Sequence, residues 1–155
     1  MAGAVEARLE ELNISLPEAP APAANYVPYV RTGDQVFVSG QVPWVGSERN
    51  FVGKVGAEFS IEDGQAAARV VALNIIAQVR AACDGDLDRV VRCVKLGGFV
   101  NCTPDFINHP QVINGASDLM VEIFGDAGRH ARFAVGAPAL PFDVAVEIDA
   151  VFEVK

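Results

Sequence analysis

The chain has 155 residues, 51% of them hydrophobic and 21% charged, with 12 Lys and Arg against 20 Asp and Glu and a formal net charge of −8. That length suits one domain, and so much apolar content excludes an intrinsically disordered chain. The acidic balance repels phosphate backbones and argues against nucleic acid as a general partner.

The first residues carry Glu6, Glu10 and Glu11 and lack the basic-then-apolar layout of a secretory signal. No uninterrupted apolar run approaches the ~20 residues that span a bilayer, so no membrane partner is expected. Cys83, Cys93 and Cys102 are odd in number and form no CxxC pair. They read as reduced, buried thiols of a cytoplasmic protein, and neither a disulfide frame nor a metal site is expected.

In chain order, Val5, Leu9 and Leu12 at helical spacing predict a short amphipathic helix over Ala4–Leu12. Leu16–Ala24 contains Pro17, Pro20 and Pro22, which supply no backbone donors, and reads as an extended surface connection. Residues 1–25 are thus set apart as a helix plus Pro-rich extension, and 26–155 as the main domain. Strand signals at Tyr26–Arg31 and Gln35–Ser39 flank the hairpin loop Thr32-Gly33-Asp34. Gln41–Gly56 reads as a long loop with Trp44 as its one large anchor.

Ser60-Ile-Glu-Asp63 opens the strongest helix, Ser60 capping and the acids facing the positive end of the dipole. Ala66, Val70, Leu73 and Ala77 share one side of that helix, and Ala68, Ala72, Ile75, Ile76 and Val79 much of the other. Asn74 and Gln78 form a thin polar seam between them. Two apolar stripes predict packing against a sheet on one side and a helix on the other. Val90–Cys102 is a long strand in which Gly97-Gly98 marks a bulge or a close backbone approach. Pro110–Phe124 is a second helix, Arg132–Gly136 a strand, Ala137–Phe142 a Pro-rich turn and Asp143–Val154 the last strand. In that last strand Val144, Val146, Ile148, Ala150, Phe152 and Val154 point one way, and Glu147, Asp149 and Glu153 the other. The order implies an α+β sheet covered by helices on one face.

Few residues offer chemistry. His109 and His130 lack metal-ligand spacing, no Ser sits in a GxSxG elbow, and no glycine loop precedes a helix to cradle phosphate. Nothing near any cysteine in sequence would lower its pKa. What remains is Arg132 at the start of a short apolar strand and Glu147 on the polar side of the last one. On pattern alone both fit solvated surface charges. Functionally, a guanidinium can grip a carboxylate by two parallel hydrogen bonds, and a carboxylate across the site can take a proton from water.

Several segments resemble the Rid family (reactive intermediate deaminases, also called YjgF-type proteins and often labelled endoribonuclease L-PSP). They are Val36-Phe-Val-Ser-Gly-Gln-Val-Pro43, Ala67–Val79 with Leu87-Asp-Arg-Val-Val-Arg-Cys-Val94, Arg132-Phe-Ala-Val followed by Leu140-Pro141, and Val144-Ala-Val-Glu-Ile-Asp-Ala150. The resemblance covers about Tyr26 to Lys155. It implies a chorismate-mutase-like protomer with two main helices on one face of a mixed sheet, assembled as a homotrimer around a central barrel with clefts between subunits.

The resemblance also implies an activity: cofactor-free hydrolysis of small 2-imino acids or their enamines to 2-keto acids and ammonia. Arg132 matches the arginine that holds the carboxylate of the substrate, and Glu147 the glutamate near the attacking water. Tyr26, Ser39, Gly40 and Ala134 match positions lining the substrate cleft. Ala134 stands where deaminases commonly carry Cys, and Ser117 falls where Asn is common, which marks a divergent subgroup. The alternatives are a trimeric binder of small carboxylates without turnover and, less favoured by the −8 charge, an endoribonuclease.

Overall fold

The computed structural model describes residues 2–155. Helix α1 (Ala4–Glu11) is followed by strands β1 (Tyr29–Thr32) and β2 (Gln35–Gln41), helix α2 (Ile61–Ala82), strand β3 (Val90–Asn101), helix α3 (His109–Phe124), and strands β4 (Ala131–Ala137) and β5 (Val146–Val154). The five strands form one sheet in the order β1-β2-β5-β3-β4. Only β3 and β4 run parallel, and α3 is the crossover that parallel neighbours require. The α+β reading with two main helices over one sheet face is therefore correct.

The alternation of β5 sets which face the helices cover. Val146, Ile148, Ala150, Phe152 and Val154 are buried beneath α2 and α3, while Glu147, Asp149 and Val151 lie on the opposite, open face. Val36 and Val38 of β2 and Leu96 and Val100 of β3 join the covered face. The expected start of the last strand at Asp143 is three residues early. Phe142 and Asp143 both take positive φ (59° and 58°), so a tight turn occupies Pro141–Asp143 and pairing in β5 begins at Val146. β1 likewise starts at Tyr29 instead of Tyr26, because Tyr26 turns back to give its N–H to the Ala24 carbonyl.

α2 begins with a reciprocal cap. Ser60 Oγ accepts from the Asp63 N–H and the Asp63 carboxylate accepts from the Ser60 N–H, at 3.1 and 3.0 Å. The helix packs between the sheet and α3, as two apolar stripes predict, but the stripes are placed differently. Ala66 is exposed and Val70 and Leu73 are only half-buried, whereas Asn74 and Gln78 are each 1% exposed. The amide of Asn74 donates to the Val42 and Trp44 carbonyls, both at 2.9 Å, and that of Gln78 to the Pro20 carbonyl at 2.6 Å. The polar seam holds two loops in place. α3 crosses α2 closely because Gly115 brings its backbone against the Gln65 carbonyl and Gly64 sits under Val112.

In β3 the bulges fall between Val90 and Arg92 and between Cys93 and Lys95, not at Gly97-Gly98, where the ladder is regular. Those glycines serve close approach instead: a Cβ on Gly98 would lie 2.8 Å from Ile113, and one on Gly97 2.8 Å from the Phe133 ring. At the N-terminus, Asp88 caps α1 by accepting from the Ala4 and Val5 N–H groups at 2.8 and 2.9 Å. Leu9 enters the common core, and Arg8 donates to the Glu122 carbonyl at 2.9 Å. The first helix thus docks on α3 as one piece with the main domain.

Candidate functional site

β2 carries one extra residue relative to β5: Val38 pairs with Ala150 and Gln41 with Ile148, so Ser39-Gly40 is a bulge. The bulge lays Gly40 beside Glu147, the open-face residue between Val146 and Ile148. A Cβ on Gly40 would lie 2.5 Å from Glu147 Oε1, so only glycine leaves the carboxylate its place. Burial, with the negative Asp149 as a smaller cause, pushes the Glu147 carboxyl above its ordinary 4.5. Among the described residues no cation pairs with it.

Glu147, Gly40 and Tyr26 line a cavity of about 1110 Å³. One wall is the Pro-rich segment, Pro17–Ala24. It forms no sheet pairing and is held by the buried Gln78 through the Pro20 carbonyl and by Tyr26, whose phenol oxygen accepts from the Ala23 N–H at 3.4 Å. Trp44 and Phe142 also line the cavity, ring centroids 5.2 Å apart, with the Arg49 guanidinium 4.2 Å from the Trp44 ring centre. The Trp44 indole donates to the Asn50 carbonyl at 2.9 Å. Ser39 supports this cavity from behind: its hydroxyl donates to the Val27 carbonyl at 2.7 Å and its N–H to the Pro28 carbonyl at 2.9 Å.

Arg132 lies elsewhere in the protomer. It pairs with Leu96 in the β3–β4 ladder and so points to the helix side of the sheet, whereas Glu147 pairs with Phe99 on the open side. Its guanidinium donates from Nη1 to Ser117 Oγ and from Nη2 to the Pro110 carbonyl, both at 3.1 Å. Ser117 Oγ also lies 2.8 Å from His130 Nε2, and His130 Nδ1 lies 2.6 Å from the Gly128 carbonyl. A carbonyl only accepts, so in the neutral imidazole Nδ1–H donates to Gly128 and Nε2 accepts from the Ser117 hydroxyl. Ala134, two residues along β4, shares the face of Arg132 and packs partly on the core.

The residues singled out in the sequence therefore form two groups in one chain: Tyr26, Gly40 and Glu147 at the cavity with Ser39 behind, and Ser117, Arg132 and Ala134 at the β4 edge. Sequence reasoning missed Trp44, Arg49 and Phe142 as cavity wall, and His130 as a partner of Ser117. It also missed the contact of Cys102 Sγ with His109 Nε2 at 3.3 Å. Burial raises all three thiol pKa values, that of Cys93 to about 12, which disfavours the nucleophilic thiolate. Among the described residues no group of three His, Cys, Asp or Glu side chains is placed to hold a metal, and no helix is long and apolar enough to cross a membrane.

Comparison with known proteins places this geometry. The family described as "YjgF/chorismate mutase-like, putative endoribonuclease" matches residues 6–153. Protein TCP17 of Trypanosoma cruzi is 51% identical over 154 residues, 99% of this chain and 96% of that protein. The crystal structure of Atu1372 from Agrobacterium tumefaciens is 46% identical with a TM-score of 0.90, covering 97% of this chain and 92% of that one. A structure titled as a putative endoribonuclease from Shewanella oneidensis MR-1 is 38% identical with a TM-score of 0.93, covering 98% and 100%. On matched length, identity and fold alike, the chain belongs to the YjgF/chorismate-mutase-like family.

Proposed function

We propose that the protein hydrolyses 2-imino acids to 2-keto acids without a cofactor, as a cytoplasmic homotrimer. The observation that carries this reading is Glu147: a carboxylate without a cationic partner, half-buried in a large cavity, with its pKa raised toward the working range of a general base. The iminium carbon of R–C(=NH2⁺)–COO⁻ is already electrophilic. Water adds to it, Glu147 takes and returns the proton, the C–N bond breaks, and R–CO–COO⁻ and NH4⁺ leave. Orientation and one proton acceptor suffice for this step.

Trimer formation supplies what one chain lacks. The open sheet face presents Val30 against Phe37 and Phe99 against Val135, all exposed, with Phe133 edge-on to Phe99 at 5.3 Å. Apolar cross-strand pairs on an uncovered sheet favour burial against further copies. In this reading the Arg132–Ser117 corner of one protomer closes on the Glu147 cavity of the next. The guanidinium has donors beyond the two it spends on Ser117 and Pro110, and these bind the substrate carboxylate. Three buried free thiols support the cytoplasmic setting.

The test is ammonia release from imino acids generated in place by an amino-acid oxidase. Arg132→Ala lowers kcat/KM roughly 10- to 150-fold, the equivalent of about 1.5–3 kcal/mol for a charged hydrogen bond, while sedimentation still reports a trimer. Wild-type turnover in that variant, or a monomer at working concentration, overturns the proposal.

A further inference from the structure

We propose that the Glu147 cavity selects substrates with a bulky uncharged side chain, and that the Pro17–Ala24 strap is the wall that sets this preference. The inference rests on the preceding reading of the cavity as the reaction chamber, and it specifies which 2-imino acids enter.

Size is the first argument. Reaction at Glu147 confines the imine carbon to the Gly40 end, since the carboxylate touches that glycine. The cavity as a whole holds about 1110 Å³, at or beyond the ~300–1,000 Å³ that drug-sized ligands fill. Within the single chain, a three-carbon substrate fills only a small part of that space.

The chemistry of the walls is the second. The strap offers pyrrolidine rings and methyl groups from three prolines and four alanines, and Glu18 is its only charge. The Trp44–Phe142 pair adds aromatic lining. Arg49 also borders the cavity but lays its guanidinium against Trp44. A second carboxylate on the ligand would meet Glu18 and Glu147 against that single arginine, and a cationic side chain would leave water for apolar walls. An apolar side chain gains roughly fourfold in affinity for each methylene it buries.

Rigidity is the third. Pro17, Pro20 and Pro22 fix the backbone and offer no donors, so the strap depends on outside groups. Gln78 supplies one from inside the core, at 2.6 Å from the Pro20 carbonyl and 1% exposed. A wall fixed in this way discriminates by shape without ordering first.

The experiment titrates the intact protein with 2-keto acids, the product side of the reaction, by calorimetry. Emission of Trp44, the only tryptophan in the chain, reports whether binding occurs at this wall. The probes are pyruvate, 2-oxobutanoate, 4-methyl-2-oxopentanoate, 2-oxoglutarate and 5-guanidino-2-oxopentanoate. The expected result is affinity rising on the order of 10- to 60-fold from pyruvate to 4-methyl-2-oxopentanoate, with both charged probes weaker than the latter and Trp44 emission shifting. Gln78→Ala, or Pro20→Gly with Pro22→Gly should the first variant fold poorly, flattens the series to within about threefold, the affinity for 4-methyl-2-oxopentanoate falling furthest. A flat wild-type series, a preference for pyruvate or a charged probe, or variants that weaken all ligands equally overturns the inference. If the size series holds but no imine is hydrolysed, the hydrolase reading alone fails. If imines are hydrolysed without size preference, this inference alone fails.

Discussion

Gly40→Ala separates the chemistry of the cavity from the stability of the fold. Gly40 is not at positive φ, so alanine is conformationally allowed there. Its Cβ would stand 2.5 Å from Glu147 Oε1, 3.2 Å from Cδ and 3.4 Å from Cγ. Ordinary carbon–oxygen contact then requires the carboxylate to move by about 1 Å, toward the cavity. Two effects on stability oppose each other: alanine restricts the unfolded chain, worth about 0.4–1 kcal/mol, and crowding costs about 1 kcal/mol, the low end for overpacking, because the neighbour is the free end of a side chain. The net change stays within about 1 kcal/mol, or roughly 2–4 °C in Tm for a chain of this size. Catalysis has no such tolerance, since about 1 Å of misplacement costs on the order of 10²-fold. Ammonia-release kinetics beside thermal melts should therefore show kcat falling about 100-fold with Tm nearly unchanged. Full activity in the folded variant would refute the role given to Glu147, and a parallel collapse of fold and activity would refute the separation.

Glu147 also predicts two pH effects of one origin. Its folded pKa lies above the ordinary 4.5, so the folded state binds that proton more tightly and the resulting stability, complete below the unfolded pKa, is lost as pH rises through the folded value. Glu147→Gln should thus melt higher than wild type at neutral pH, with the gap closing toward pH 4, while wild-type kcat rises with pH through the same window; the reverse order of melts would refute the assignment. Asp88 behaves oppositely, because the Val5 and Ala4 N–H groups hold its carboxyl below 3.8. Asp88→Ala should loosen α1 at a cost of about 1 kcal/mol, seen as faster amide exchange confined to the first helix, and the difference should vanish as acid protonates the wild-type cap. Gly115→Ala drives a methyl group onto the Gln65 backbone carbonyl, which cannot swing aside, and should destabilise by about 1–3 kcal/mol in denaturant titrations.

The covered face of the sheet was legible because β5 alternates without interruption, and the α2 start because Ser60 and Asp63 stand at capping spacing. The start of β5 was not, since Phe142 and Asp143 adopt a left-handed turn that neither residue type announces. Asn74 and Gln78 read only as a polar seam, with nothing in the pattern to say what they bind. They are buried here to serve carbonyls of segments that have little pairing of their own, a demand that arises only once the strap and the Trp44 loop have folded across α2. Arg132 and Glu147 were singled out by resemblance to a family. Their separation on opposite faces was not legible, because it depends on the registers of two different ladders on β3. His130 escaped notice because metal spacing was the wrong criterion for a histidine whose partners are a hydroxyl and a carbonyl.

The strap has a consequence for how such a protein can diversify. Residues 17–24 take no part in any strand or helix, so rewriting them leaves every ladder register and the shared core untouched. Under the proposed role of the strap, selectivity is uncoupled from foldability: a few exchanges in an eight-residue surface run would reshape the chamber while the sheet and helices beneath stay constant, and grafting other sequences into the strap would be a practical route to new specificities on one scaffold.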